Sequence, residues 1–234
     1  MRALVLIGCL LALGAPAARA QQNAPVVVEL YTAQGCEDCP RADAVLAELS
    51  KRGDIVALTF PVDYWDYLGW KDTQAHPAFT ARQKAYKAAF RLRELRTPQV
   101  VVAGAAYAPG FDAGQVLALV RAHREPRPDS PVVQLGPQRN WVLVKDGGDP
   151  PGGGAEVWMI RYDPRVTRVA ITKGDSKGQV VTQKNVVREL VRLGPWTGRG
   201  RIYALPRPTR EGLRTVVVVQ TLRERRILGC AAER

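Results

Sequence analysis

The sequence predicts an α/β protein, in which a β-α-β-α-β-β-α unit is followed by a smaller antiparallel, sandwich-like all-β unit. Three observations carry that expectation. β-branched runs alternate with helically spaced apolar residues through the first half of the chain. The stretch Glu125-Pro126-Arg127-Pro128-Asp129-Ser130-Pro131 then breaks the pattern as a linker. Beyond it, short apolar runs are separated by glycine- and proline-rich turns.

The leader is set aside first. Arg2 gives a positive start, Leu4 to Leu13 form an apolar run, and Ala18-Arg19-Ala20 supplies a small-x-small cleavage pattern. The run is too short to remain as a membrane-spanning helix. A signal segment over 1–20 is therefore expected, with Cys9 discarded in it. The mature protein is expected to be periplasmic or secreted, without stable membrane insertion.

Val26 to Tyr31 reads as the first strand. Ala42, Val45, Leu46 and Leu49 recur at helical spacing, so a helix is expected from about Cys39 to a stop at Gly53. Ile55 to Val62 forms the second strand and ends at Asp63. An aromatic loop, Asp63 to Asp72, leads to a second helix with Phe79, Tyr86 and Phe90 on its inner side. Thr97-Pro98 opens a third strand, and Gly104 permits a tight turn into a fourth. Asp112, with Gln115 three residues on, starts the third helix. Past the linker, strands are expected at 141–145, 157–162, 169–172, 202–205 and 215–222. The expected units are thus 24–125, the linker 126–131, and a β-rich unit over 132–230.

Cys36-Glu37-Asp38-Cys39 is the segment that can do chemistry. It lies where a strand hands over to a helix, and residues three apart share a helical face, so the two sulfurs can meet. Free amides and the positive end of the helix dipole favour a thiolate there. Cys36, nearer the helix end and expected to be the more exposed, is the candidate nucleophile, and Cys39 the resolving thiol. Glu37 and Asp38 oppose thiolate formation and predict a couple that is not strongly oxidising. Export with only Cys36, Cys39 and Cys230 left fits a redox pair plus a bystander better than a disulfide-stapled scaffold. Cys230 is expected to pack as a small apolar residue.

Other residues offer weaker signals. Trp65 and Trp70 could wall a substrate groove or simply cover a long loop. Asp63 could shuttle protons, although a turn or capping role is the commoner use of such a residue. His76 could join Cys36 and Cys39 in a soft site for Cu(I), but His76-Pro77 also suits a helix start. No cofactor is expected. The formal net charge is +12. Its clusters, around Arg91, Arg93 and Arg96 and around Arg223, Arg225 and Arg226, accompany no nucleic-acid module and read as solvated surface.

The runs Val27 to Cys36, Val62 to Asp72, Arg82-Gln83 with Tyr86, Thr97 to Val102, Asn185 to Arg188 and Leu193 to Gly198 together resemble the DUF1223 family of exported thioredoxin-like proteins. The resemblance covers nearly the whole mature chain. It implies a thioredoxin-like fold for the first unit, in which Thr97 and Pro98 form a cis-proline loop that faces the cysteines and binds substrate. It departs from the family at Glu37, Asp38 and Arg41, where small residues and proline are usual. The function expected is thiol–disulfide exchange with protein thiols or a thiol-containing small molecule, with no nucleic-acid partner. The alternatives are a carrier of thiophilic metal and a binding module with a structural disulfide.

Overall fold

The computed structural model describes residues 24–125 and 129–233. The expected signal segment and residues 126–128 of the expected linker lie outside the described residues. Among the described residues, no helix is long and apolar enough to cross a membrane.

The first half runs β1 (Val26–Thr32), α1 (Cys39–Leu49), β2 (Ile55–Pro61), a 3-10 turn (Asp66–Leu68), α2 (Pro77–Ala89), β3 (Gln99–Val102), β4 (Ala106–Ala108) and α3 (Ala113–Ala122). The second half supplies β5 (Val133–Leu135), β6 (Trp141–Val144), β7 (Ala155–Ala170), β8 (Val180–Trp196), β9 (Arg201–Ala204), β10 (Arg214–Thr221) and β11 (Ile227–Ala232). Eight strands form one mixed sheet in the order β11-β10-β7-β8-β2-β1-β3-β4, and β5-β6-β9 form a small antiparallel sheet.

The C-terminal strands therefore divide, where the sequence predicted a separate sandwich. Four of them extend the sheet of the first half, with β8 parallel to β2 at Thr59 and Val186. That junction is short, but side chains reinforce it. Thr59 Oγ1 donates to Lys184 O at 2.6 Å, and Asn185 Nδ2 donates to Ala57 O at 2.8 Å. The three-stranded sheet does pack face to face on the large one. Val142, Val144 and Tyr203 meet Val157, Met159, Val217 and Val219 in a closed apolar layer.

Alternation along β1 sends its residues to two further cores. Val26, Val28 and Leu30 pack against Ala42, Leu46 and Leu49 of α1 and Val116 and Val120 of α3. On the opposite face, Val27 and Tyr31 join Phe79 and Tyr86 of α2 with Ile160, Val216 and Val218. The sheet curls around α2, so that Ile227 N reaches Ala103 O at 2.9 Å and the Cys230 thiol donates to Pro25 O at 3.0 Å. Cys230 is buried, and burial pushes its thiol up to about 12.

Across that core runs a buried polar cluster. Arg82 donates from Nε and Nη2 to the two oxygens of Glu29, each at 2.8 Å, and from Nη1 to Gln220 Oε1 at 3.1 Å. The hydroxyls of Tyr31 and Tyr86 complete the carboxylate's partners at 2.8 Å. β1, α2 and β10 are thereby joined by one network.

Candidate functional site

β1 ends at Thr32, and the chain turns through Ala33 to Gly35 into the N-terminus of α1. Cys36 and Cys39 form a disulfide there, with their Cα atoms 5.4 Å apart. Asp38 is the N-cap without a capping side-chain bond, and Pro40 occupies the first turn, where no amide partner is lost. Both cysteines are buried, Cys36 at 3% exposure and Cys39 at 0%. Cys36 is the more exposed of the two, in the order the sequence predicts, but by a small margin. Glu37 and Asp38, by contrast, point to water.

The aromatic loop packs beside this segment. Tyr64 and Trp65 pack against the core cluster that contains both cysteines. Trp65 lies over Gly35, and its Nε1 donates to Thr97 Oγ1 at 2.7 Å. The Thr97–Pro98 peptide is cis. The structure thus connects the cysteine segment, Trp65 and the Thr97-Pro98 loop.

Trp70 serves a different purpose. Its Nε1 donates to Gln34 Oε1 at 2.7 Å, while Gln34 N donates to Asp72 Oδ2 at 2.8 Å. Asp72 also accepts from the amides of Gln74 and Ala75, and so fixes the loop's exit. Gln34, two residues before Cys36, is the anchor of the whole loop; nothing in the sequence pattern singled it out. Asp63 accepts from Thr80 Oγ1 at 2.6 Å, which ties β2's end to α2 rather than to the sulfurs. His76 is the N-cap of α2: its Nδ1 accepts from Ala78 N at 3.1 Å and its ring lies on Phe79. Among the described residues, no group of three His, Cys, Asp or Glu converges as metal ligands.

The second half of the chain reaches this loop directly. The turn joining β7 to β8 sets Gly174 against Leu68 and Gly69, so closely that a Cβ on Gly174 would stand 2.4 Å from Leu68 O. Gly174 also holds a φ of 73°, which favours glycine. Arg188 of β8 donates to Gln74 in the same loop. On the far side of the site, the Arg41 guanidinium lies 5.3 Å from the ring of the partly exposed Phe111.

One more group belongs to the site by position. Asp43 stands one helical turn after Cys39 and is 2% exposed. Thr32 Oγ1 donates to its Oδ2 at 3.2 Å, and its Oδ1 has no partner. Burial, set against the Thr32 bond and abetted by the nearby Asp72 carboxylate, pushes the Asp43 carboxyl up to about 8. A helical-wheel reading could have found it, because Ala42, Leu46 and Leu49 place Asp43 beside the buried stripe.

No curated protein matches the sequence. Among solved structures, a crystal structure of a protein from Agrobacterium tumefaciens is similar at 28% identity and a TM-score of 0.73, over 88% of this chain and 92% of that one. The protein HBP35 of Porphyromonas gingivalis shares the fold alone, at 12% identity and a TM-score of 0.54, over 90% of this chain and 75% of that one. The model of DUF1223, described as a protein of unknown function, matches residues 27–220, and the chain belongs to that family.

Proposed function

We propose that this is an exported, thioredoxin-like thiol–disulfide oxidoreductase that works through Cys36 and Cys39. The observation that carries the reading is the Cys36–Cys39 disulfide at the N-terminus of α1, with Trp65 packed at the adjacent Gly35 and hydrogen-bonded to Thr97. A helix N-terminus stabilises a thiolate, and a thiolate is the species that exchanges. In the reduced protein, the Cys36 thiolate attacks one sulfur of a partner disulfide, and the other partner sulfur leaves as a thiolate. Cys39 then attacks the Cys36 sulfur of the mixed disulfide. The bound partner sulfur departs as a thiolate, and the Cys36–Cys39 bond is restored. The Thr97-Pro98 loop and Trp65 dock the partner, a protein or a small thiol compound. The β7–β8 turn holds the aromatic loop that forms the other wall. The signal-like leader supports export.

The test is to equilibrate the protein in thiol redox buffers and count alkylated cysteines by mass. A two-electron transition between about −120 and −270 mV is the expected outcome. A bridge that stays closed below about −300 mV would be a structural staple and would overturn the reading.

A further inference from the structure

We infer that Asp43 is the proton donor and acceptor for the Cys39 thiol during opening and closing of the disulfide. The inference rests on the exchange reading above and adds a residue to it.

Opening the bridge puts an electron pair on Cys39, whose side chain is fully buried. A thiolate there has no solvent to stabilise it, so a proton must arrive with the electrons. Asp43 occupies the next turn on the same side of α1, also shut off from water. A carboxyl that served packing alone would be expected to have both oxygens satisfied. Asp43 keeps Oδ1 without a partner and has one long bond, from Thr32, on Oδ2. Burial makes the neutral carboxyl the favoured resting form, and the charged group that faces it, Asp72 from the loop above, adds to that in the same direction. On α1 and the two residues before it, Glu37, Asp38, Arg41 and Glu48 are exposed. β8, which packs on α1, carries the buried and neutral Gln183.

The step balances. A thiolate of a dithiol donor attacks Cys36 Sγ, forming a mixed disulfide and breaking the Cys36–Cys39 bond. The bonding pair leaves on Cys39 Sγ, which takes the proton of the Asp43 carboxyl. In the closing direction, the Asp43 carboxylate takes the proton from the Cys39 thiol as that sulfur attacks Cys36 and expels the partner thiolate.

The experiment measures reduction of the oxidised full-length protein by dithiothreitol from pH 6 to 9.5, with rate constants corrected for the reagent's thiolate fraction. In the wild type the corrected constant should fall about ten-fold through the pH range in which Asp43 loses its proton. Asp43→Asn should be slower by about ten-fold at pH 7 and show no such fall, and Asp43→Glu should restore part of it. An Asp43→Asn profile that overlays the wild type overturns the inference and leaves the exchange reading intact. A bridge that dithiothreitol cannot open in any variant overturns the exchange reading itself. A second measurement needs no variant. The carbon-13 titration of the Asp43 carboxyl should differ between oxidised and reduced protein, and identical curves overturn the inference.

Discussion

Glu29 and Asp43 are both carboxyl groups shut away from water, on opposite faces of β1, and the protein treats them in opposite ways. Glu29 receives four donors, two from Arg82 and one each from Tyr31 and Tyr86. Burial alone would raise its pKa, but Arg82 and the hydroxyls hold it below the usual carboxylate value. Asp43 receives a single donor and faces another carboxylate, and burial carries it up to about 8. Equal burial therefore has two consequences. Where partners fill every lone pair, the charge becomes part of the framework; where they do not, the proton becomes mobile near neutral pH. The framework cluster lies between β1, α2 and β10, and joins the two halves of the chain. The proton-exchanging group lies one turn below the disulfide.

Making Glu29 resemble Asp43 should have the largest effect. Arg82→Leu leaves a buried carboxylate without its cation and should cost about 3–5 kcal/mol of stability. The pH dependence should change sign as well. In the wild type, Glu29's folded pKa lies below its unfolded one, so its contribution is complete above the unfolded value and is lost as pH falls through the folded value. Without Arg82, burial dominates, and the variant should lose stability as pH rises from the acid range to neutrality. Urea unfolding at two pH values reads both effects. Adding Glu29→Leu to the variant should recover much of the loss, because the uncompensated charge has gone.

Removing the charge at Asp43 should act the other way. Its folded value of about 8 lies well above that of a carboxyl in the unfolded chain. Below both values the two states hold the same proton. Between them the folded protein keeps a proton that the unfolded chain has lost, so wild-type stability falls as pH rises through that window. Asp43→Asn should abolish this slope and be more stable than the wild type at pH 8, by about 2–5 kcal/mol once the substitution's own cost is set against the linkage. A thermal melt at pH 5 and pH 8 checks it, and an unchanged slope would mean that Asp43 is not the titrating group.

The two carboxyls also show how far the sequence can be read. The disulfide was legible because two cysteines three apart at a strand–helix junction leave little choice of geometry. β1, α1, α2 and α3 were legible because their apolar periods are unbroken. β8 was not. Lys184, Arg188, Glu189 and Arg192 interrupt its apolar residues, and register shifts against β7 break the period of two on which strand reading depends. The sharing of one sheet by both halves hangs on the short β2–β8 contact, which has no local signature. Glu29 is visible in the sequence as a lone acid in an apolar strand, but Arg82 lies 53 residues along the chain from it, and Gln220 lies 138 residues from Arg82. Long-range pairing of that kind follows from topology. Asp43 was within reach, since its helical position beside Cys39 follows from spacing alone. Whether its oxygens were satisfied did not.

The finest adjustment to the comparison is Thr32→Val, which takes from Asp43 the one donor it has. The loss of that bond should cost about 1 kcal/mol, the smallest change of the set. Its value lies in direction. The Thr32 hydroxyl favours the charged carboxylate and lowers the Asp43 pKa against burial. Without it the carboxyl should hold its proton to higher pH, and the fall in the dithiothreitol rate profile should move upward with it. A stability effect confined to packing would leave the profile where it was. An upward shift therefore ties the kinetic break to Asp43 in a protein whose carboxyl, cysteines and Trp65 are all still present. A break that stays in place assigns it to another group.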